Sequence, residues 1–297
     1  MKRLLVLLAC VVMLAACSSK EGAGEELVAY KDDVGTVMIP KEPKRVVILN
    51  NSLAGYPFAL DEKPVGLTDF ALGNTHFAPY IEGIEDVGDG SLEKVLALNP
   101  DLIIAFPDVE NLAELEKIAP VVSYAYGKRD FREQLLEVGK LFNKEQQAKD
   151  WLTDFDARIA ADKPAIQDKM ADQTVAILSV GEKSMYAYSD RWARGGEIIY
   201  GEFGIAAPEA VQKQAIEGDG WAELSLEKIT DFAGDYIFLE EGPEIDGLKQ
   251  LAIWQSLDAV KNNRIYMLKS SDSYFNDPIS LEGQRQFIVA QLLQQEA

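Results

Sequence analysis

Between Asn143 and Met170 the apolar positions Ala148, Trp151, Leu152, Phe155, Ile159, Ile166 and Met170 recur mostly three, four or seven apart. That spacing puts them on one face of an α-helix. Asn143 with Gln146 three residues on has capping-box spacing and marks the start. A continuous helix from Lys144 to Met170 runs about 40 Å at ~1.5 Å per residue. Pro164 removes a backbone donor and crowds the preceding turn, which predicts a kink near Ala161. Alone, the pattern also suits an ordinary core helix.

The flanking chain gives it a different meaning. Ser91-Leu92-Glu93-Lys94-Val95 precedes Asp101-Leu102-Ile103-Ile104, and Ser225-Leu226-Glu227-Lys228-Ile229 precedes Asp235-Tyr236-Ile237-Phe238; both the serines and the aspartates are 134 positions apart. A β-branched run lies upstream of each copy, at Val46–Leu49 and Val175–Leu178. Two copies are too few for a solenoid and suit two similar α/β lobes bridged by a long helix. In the first half, strands are expected at Val46–Leu49, Val65–Leu67, Leu102–Phe106 and Val121–Tyr124, with helices at Leu92–Leu98, Leu112–Ile118 and Phe131–Phe142. This alternation predicts parallel sheets flanked by helices. A hairpin is expected over Glu26–Pro40, turning at Asp33-Val34-Gly35, and a helix over Leu281–Leu293 closes the chain.

The 297 residues, 47% of them apolar, suffice for two cores. The first residues read differently. Lys2 and Arg3 precede an apolar run, Leu4 to Met13, and then Leu14-Ala15-Ala16-Cys17, which looks like a bacterial lipobox. Cys17 is therefore expected to be acylated and to become the mature N-terminus, with Ser18–Glu26 as tether. Cys10 leaves with the leader, so no thiol remains for a disulfide or a thiolate metal site. Without Lys2 and Arg3 the basic count falls from 29 to 27 against 49 acidic residues, a formal charge of −22. Such a surface excludes nucleic acid as a natural partner.

Motifs for catalysis are missing: there is no Gly-x-Ser-x-Gly and no phosphate-cradling glycine loop. The one histidine, His76, reads as structural, because no second imidazole exists to share a metal. The densest signal is Tyr186-Ala187-Tyr188-Ser189-Asp190-Arg191-Trp192-Ala193-Arg194-Gly195-Gly196. Tyr186 and Tyr188 share a face if extended; Trp192 and Arg194 follow in a loop, and the glycines permit a tight entry into the next helix. Rings beside a guanidinium suit a bulky, partly apolar ligand with oxygen acceptors, or equally a hydrophobic corner with snorkelling arginines.

Over essentially its whole mature length the chain resembles the substrate-binding lipoproteins of bacterial ABC importers for iron–siderophore complexes, and among them the ferric-hydroxamate binders. The resemblance is carried by Pro43-Lys44-Arg45-Val46-Val47, Ser91 to Ile104, Ile118-Ala119-Pro120, Tyr126-Gly127-Lys128, Tyr186 to Gly196, Trp221-Ala222-Glu223 and Tyr274-Phe275-Asn276-Asp277-Pro278. It implies two Rossmann-like lobes with parallel sheets joined by one long helix, the ligand lying in a shallow cleft between them. The implied ligand contacts are Tyr126, Tyr186, Trp192, Arg194 and Tyr274, with Phe275 as the rival of its neighbour. Glu93 and Glu227 are implied to dock into arginine pockets of a permease dimer; as residues, they equally suit helix starts capped by Ser91 and Ser225. Asp61 departs from the family, standing where its members usually turn with glycine, and the Asn50-Asn51-Ser52 loop matches no hydroxamate pattern.

The expected division is 1–16 signal peptide, 17–26 lipidated cysteine and tether, 27–142 N-terminal lobe, 143–170 connecting helix and 171–297 C-terminal lobe. The function so implied is that of an extracytoplasmic monomer, anchored to the membrane by its lipid alone, that captures a ferric siderophore for an ABC permease without making or breaking a bond. No cofactor or protein metal ligand is expected, because hard Fe(III) prefers the oxygens its chelator already supplies. Within the class the alternatives are a catecholate siderophore, haem or a corrinoid; a zinc or manganese binder is disfavoured by the single histidine. A surface enzyme or adhesion protein on the same scaffold is the alternative of another class.

Overall fold

The computed structural model describes residues 26–293, so the leader, Cys17 and the tether up to residue 25 lie outside the described residues. Strands β1 (Leu27–Lys31) and β2 (Thr36–Pro40) pair as the expected hairpin. β3 (Val46–Ile48), β4 (Gly66–Leu67), β5 (Glu85–Asp86), β6 (Leu102–Ala105) and β7 (Val121–Ser123) form an all-parallel sheet in the order β5-β4-β3-β6-β7. The inner strands β3 and β6 and the edge strand β7 are buried along their whole length, which is why they read as apolar runs.

The second sheet has the order β10-β9-β8-β11-β12, from β8 (Val175–Val180), β9 (Met185–Tyr188), β10 (Trp221–Leu224), β11 (Tyr236–Glu240) and β12 (Ile265–Leu268). This sheet too is mostly parallel, with one exception: β8, β11 and β12 are parallel, whereas β9 runs antiparallel to both of its neighbours, β8 and β10. Gly181–Ser184 closes a tight turn, with Gly181 N–H on the Ser184 carbonyl at 2.9 Å, so β9 returns beside β8 with no crossover helix.

The repeated aspartates do the same job in both lobes. Asp101 accepts the backbone N–H groups of Lys44 and Arg45, just before β3, at 2.6 and 2.9 Å. Asp235 accepts the N–H and hydroxyl of Thr174, just before β8, at 2.8 and 2.9 Å. Each pins the entry of one central strand to the start of its neighbour.

The bridging helix spans Glu145–Met170 and continues unbroken through Pro164. Its Ala148 packs in the N-terminal core, while Phe155, Ile159, Ile166 and Met170 belong to the C-terminal core. Asn143 is not its cap. It adopts a left-handed conformation (φ 56°) after helix Phe131–Leu141 and donates to the Lys41 carbonyl at 2.5 Å. Asparagine tolerates that conformation, and ending the preceding helix claims it first. The capping box lies one helix earlier, where Asp130 accepts from Glu133 N–H at 2.8 Å and Glu133 accepts from Asp130 N–H at 3.4 Å. Asp61 is also left-handed (φ 56°), an aspartate filling a glycine's role.

The C-terminal helix, Pro278–Leu293, is a second tie between the lobes. Ser280 Oγ accepts from Asn74 Nδ2 at 2.9 Å, and Asp272 accepts from Thr75 N–H at 2.9 Å. Glu282 pairs with Arg158 of the bridging helix at 3.0 Å, and Arg285 pairs with Asp162.

Candidate ligand-binding site

Four loops of the N-terminal lobe leave the carboxyl ends of parallel strands and meet the other lobe across a cavity of about 300 Å³. Asn51 and Ser52 follow β3, Phe70 follows β4, Phe106 follows β6, and Tyr126 follows β7. Open α/β sheets present their ligands at this edge. Trp192, Arg194, Tyr274 and Phe275 form the opposite wall.

The N-terminal loops are fixed by side-chain-to-backbone bonds. Asn50 donates to the Tyr124 carbonyl at 3.0 Å and accepts from Ser52 N–H at 3.1 Å, tying the first loop to the one that bears Tyr126. Thr68 Oγ1 donates to Asn51 Oδ1. The hairpin turn holds the Tyr126 loop from below. Asp33 accepts from Ala125 N–H at 2.9 Å and from both outer nitrogens of Arg129, at 3.0 and 2.6 Å, and Lys128 Nζ lies 3.0 Å away. Burial alone would raise the Asp33 carboxyl, but the donors of Arg129, Ala125 and Lys128 outweigh it and hold the group at about 2.

On the other side, Ala193, Arg194 and Gly195 are consecutively left-handed, with φ of 58°, 61° and 83°. Such a run is unfavourable for alanine and arginine and persists only where the surroundings impose it. Arg194 N–H donates to the Ser273 carbonyl at 2.6 Å, and Ala193 N–H to Glu197 Oε1 at 3.1 Å. A Cβ on Gly196 would lie 1.9 Å from the Ser189 carbonyl oxygen, so only glycine fits that close approach. Glu197 Oε1 also accepts from Asn276 Nδ2 at 3.1 Å, which couples this turn to the segment bearing Tyr274 and Phe275. Burial pushes the Glu197 carboxyl up to about 7.

The arginine is built into the wall. Arg194 Nε donates to Glu240 Oε2 at 2.6 Å and Nη1 to the Trp192 carbonyl at 3.2 Å. Its guanidinium lies 4.0 Å from the Tyr188 ring centre and 4.6 Å from that of Tyr274. Tyr126 and Trp192 meet edge to face across the cleft, centroids 5.5 Å apart. Tyr274 is exposed and edge-on to Phe70 at 5.5 Å, while Phe275 is buried and stacked on Phe70 at 5.3 Å.

Of the residues expected here, Tyr126, Trp192, Arg194 and Tyr274 come together. Tyr186 does not line this cavity; its ring packs against Trp221 at 5.8 Å, on the neighbouring strand. Glu93 and Glu227 are exposed at equivalent places, each motif reading exposed, half-buried, exposed, exposed, buried. Neither Ser91 nor Ser225 caps its helix with its side chain. His76 is half-buried against Gly283 and lines a separate cavity of about 200 Å³. Among the described residues no three His, Cys, Asp or Glu side chains are grouped to hold a metal. Asn51, Ser52, Phe70 and Phe106 were not expected; their position directly after parallel strands is the signal that marks them.

Two α/β lobes on a helical spine, with an aromatic cavity between their loops, define a small-molecule-binding protein of the two-lobed cleft type. Residues 46–271 match the model of the periplasmic binding protein family, and the chain belongs to that family. It is 40% identical over 296 residues to the iron(3+)-hydroxamate-binding protein FhuD of Bacillus subtilis, covering 95% of this chain and 94% of that one. A crystal structure of a FhuD-fold periplasmic binding protein component of a ferrichrome ABC transporter from B. subtilis superposes with a TM-score of 0.86 at 40% identity, over 90% of this chain and all of that one. FhuD2 of Staphylococcus aureus with bound ferrioxamine B superposes with a TM-score of 0.79 at 31% identity, over 85% and 99% of the two chains.

Proposed function

We propose that this protein binds a ferric hydroxamate siderophore in the inter-lobe cavity and delivers it to an ABC permease. The observation that carries this reading is the wall itself: Tyr126, Trp192, Tyr274 and Phe70 offer ring surface around Arg194. An iron trihydroxamate has apolar linkers and a rim of chelating oxygens. The rings cover the linkers, each contributing up to roughly 1.5–3 kcal/mol by burial. Arg194 spends its Nε on Glu240, so its Nη2 edge is the one that meets the oxygens, at about 1.5–3 kcal/mol for a bond to a charged group. Set against the cost of association, such contacts correspond to a dissociation constant between about 1 nM and 1 µM. Iron stays with the chelator's oxygens.

The exposed glutamates support the delivery step. The lysine beside each one turns to an aspartate instead, Lys94 to Asp86 at 3.4 Å and Lys228 to Asp231 at 3.8 Å. Glu93 on one lobe and Glu227 on the other thereby present carboxylates to a two-fold permease. Acylation of Cys17 keeps a monomer outside the cell and against the membrane.

Quenching of tryptophan fluorescence during titration with ferrioxamine B, a ferric catecholate, haem and cobalamin tests the ligand class. Saturable quenching by the hydroxamate alone is expected. An equal or stronger response to any of the others overturns the assignment.

A further inference from the structure

A second cavity, of about 320 Å³, lies between the lobes, and nothing above uses it. Its relation to the aromatic cavity can be read along three segments of the chain. Tyr126 lines the first cavity and Gly127 the second; Trp192 the first and Arg191 the second; Phe275 the first and Asn276 the second. The Tyr126–Trp192 contact therefore stands as a partition between two chambers of one cleft. An edge-to-face pair holds together by only about 0.5–1.5 kcal/mol beyond burial, so a ligand larger than the first chamber displaces it at little cost.

The second chamber differs in chemistry. Four of its wall residues are cationic and each has a partner. Lys128 and Arg129 share Asp33 at 3.0 and 2.6 Å, and Arg132 reaches Asp156 and Glu202, both at 2.7 Å. Arg191 donates to the carbonyls of Ile216 and Gly218 at 3.0 and 2.5 Å. The acids are matched less well. Asp130 accepts the Glu133 N–H, and among the described residues Asp190 has only its neighbour Arg191 at 3.4 Å. Glu197 is buried, and its Oε2 has no hydrogen-bond partner among the described residues. Counting Asp33 and Asp156, which pair with the wall cations, five carboxylates (with Asp130, Asp190 and Glu202) stand against four cations even when Glu197 is protonated, so the chamber favours a cation.

We propose that this chamber is a subsite for the cationic tail of a linear hydroxamate, so that the protein selects siderophores ending in an alkylammonium group. The inference rests on the hydroxamate reading above and adds the substrate class. The chelate occupies the aromatic chamber, its tail passes the parted Tyr126–Trp192 pair, and the ammonium sits among Asp130, Asp190 and Glu197.

The test compares ferrioxamine B, which ends in a primary ammonium, with its N-acetyl derivative, which is neutral, by fluorescence titration in about 50 mM salt, where screening is weak. The wild-type protein is expected to bind the ammonium form roughly 5–10-fold tighter, about 1–1.4 kcal/mol. In Asp130→Asn/Asp190→Asn the ratio falls below about twofold; asparagine caps a helix as well as aspartate, so the helix at 131 is kept. The N-acetyl titration of the same variant reports whether the aromatic chamber is intact. Equal affinities in the wild type, or a ratio unchanged in the variant, overturn the subsite while leaving the hydroxamate reading standing. Absence of saturable quenching by either form overturns the hydroxamate reading, and the subsite with it.

Discussion

Arg194 Nε donates to Glu240 Oε2 at 2.6 Å, and the two side chains are only 7% and 9% exposed. The strongest candidate for ligand contact is thus also half of a buried ion pair. Removing one member of such a pair strands the other charge and costs about 3–5 kcal/mol. Glu240→Ala is expected to lower stability by that order in urea unfolding. Arg194→Lys keeps the charge but loses the fork and the stacking between Tyr188 and Tyr274; its affinity for ferrioxamine B is expected to fall about tenfold or more. Wild-type affinity in Arg194→Lys would remove the arginine from the recognition surface.

On the proposed function, Glu93 and Glu227 serve delivery and not capture. Both are exposed and neither lines either cavity, so Glu93→Ala and Glu227→Ala are expected to leave the titration curve and the melting temperature unchanged. Uptake of radiolabelled iron from ferrioxamine B by cells carrying only the variant should drop severalfold for each and further for the pair. Uptake at the wild-type rate by the double variant would leave these residues as surface carboxylates near helix starts.

Two buried carboxyls set a pH dependence of stability. Burial raises Glu197 from 4.5 to about 7 and Asp277 from 3.8 to about 6. Across those intervals the folded state holds more protons than the unfolded one, so stability falls as pH rises from about 4 to 7 and levels off above. For Glu197 the shift corresponds to about 3 kcal/mol. Thermal unfolding should show a higher melting temperature at pH 5 than at pH 8. Glu197→Gln should flatten that slope, and an unchanged slope would show that Glu197 does not carry it.

Much of this architecture was legible because its strands are buried on both faces. Val46-Val47-Ile48 and Leu102-Ile103-Ile104 have no polar side to confuse the reading, and the 134-residue repeat announced two lobes. The antiparallel edge was hidden, because the Gly181–Ser184 turn is one short break in a pattern that otherwise alternates. Asn143 misled for a similar reason: asparagine begins helices and ends them, and spacing alone does not say which. In the site, Trp192 and Arg194 were legible as a dense cluster, whereas Asn51, Ser52, Phe70 and Phe106 come from four separate loops that only the parallel sheet brings together. Tyr186 carries the same chemistry as Tyr126, but its place on β9, opposite Glu223 of the edge strand β10, turns its ring to Trp221.

Asp33 offers the sharpest link between the fold and the cavity, since it lies on the hairpin and does not line the cavity. Its side chain is 1% exposed and holds Arg129, Lys128 and the Ala125 N–H, the segment on either side of Tyr126. With its carboxyl held at about 2, below the usual 3.8, Asp33 stabilises the fold fully above pH ~4, and that contribution disappears as pH falls through 2. Asp33→Asn keeps the shape but discards the charge, leaving Arg129 without its counter-ion. The variant is expected to melt lower at pH 7, to lose less relative to the wild type as pH falls toward 2, and to bind ferrioxamine B severalfold more weakly as the Tyr126 loop loosens. A lower melting temperature with unchanged affinity would mean that Tyr126 is held by the Asn50–Tyr124 bond and its neighbours alone.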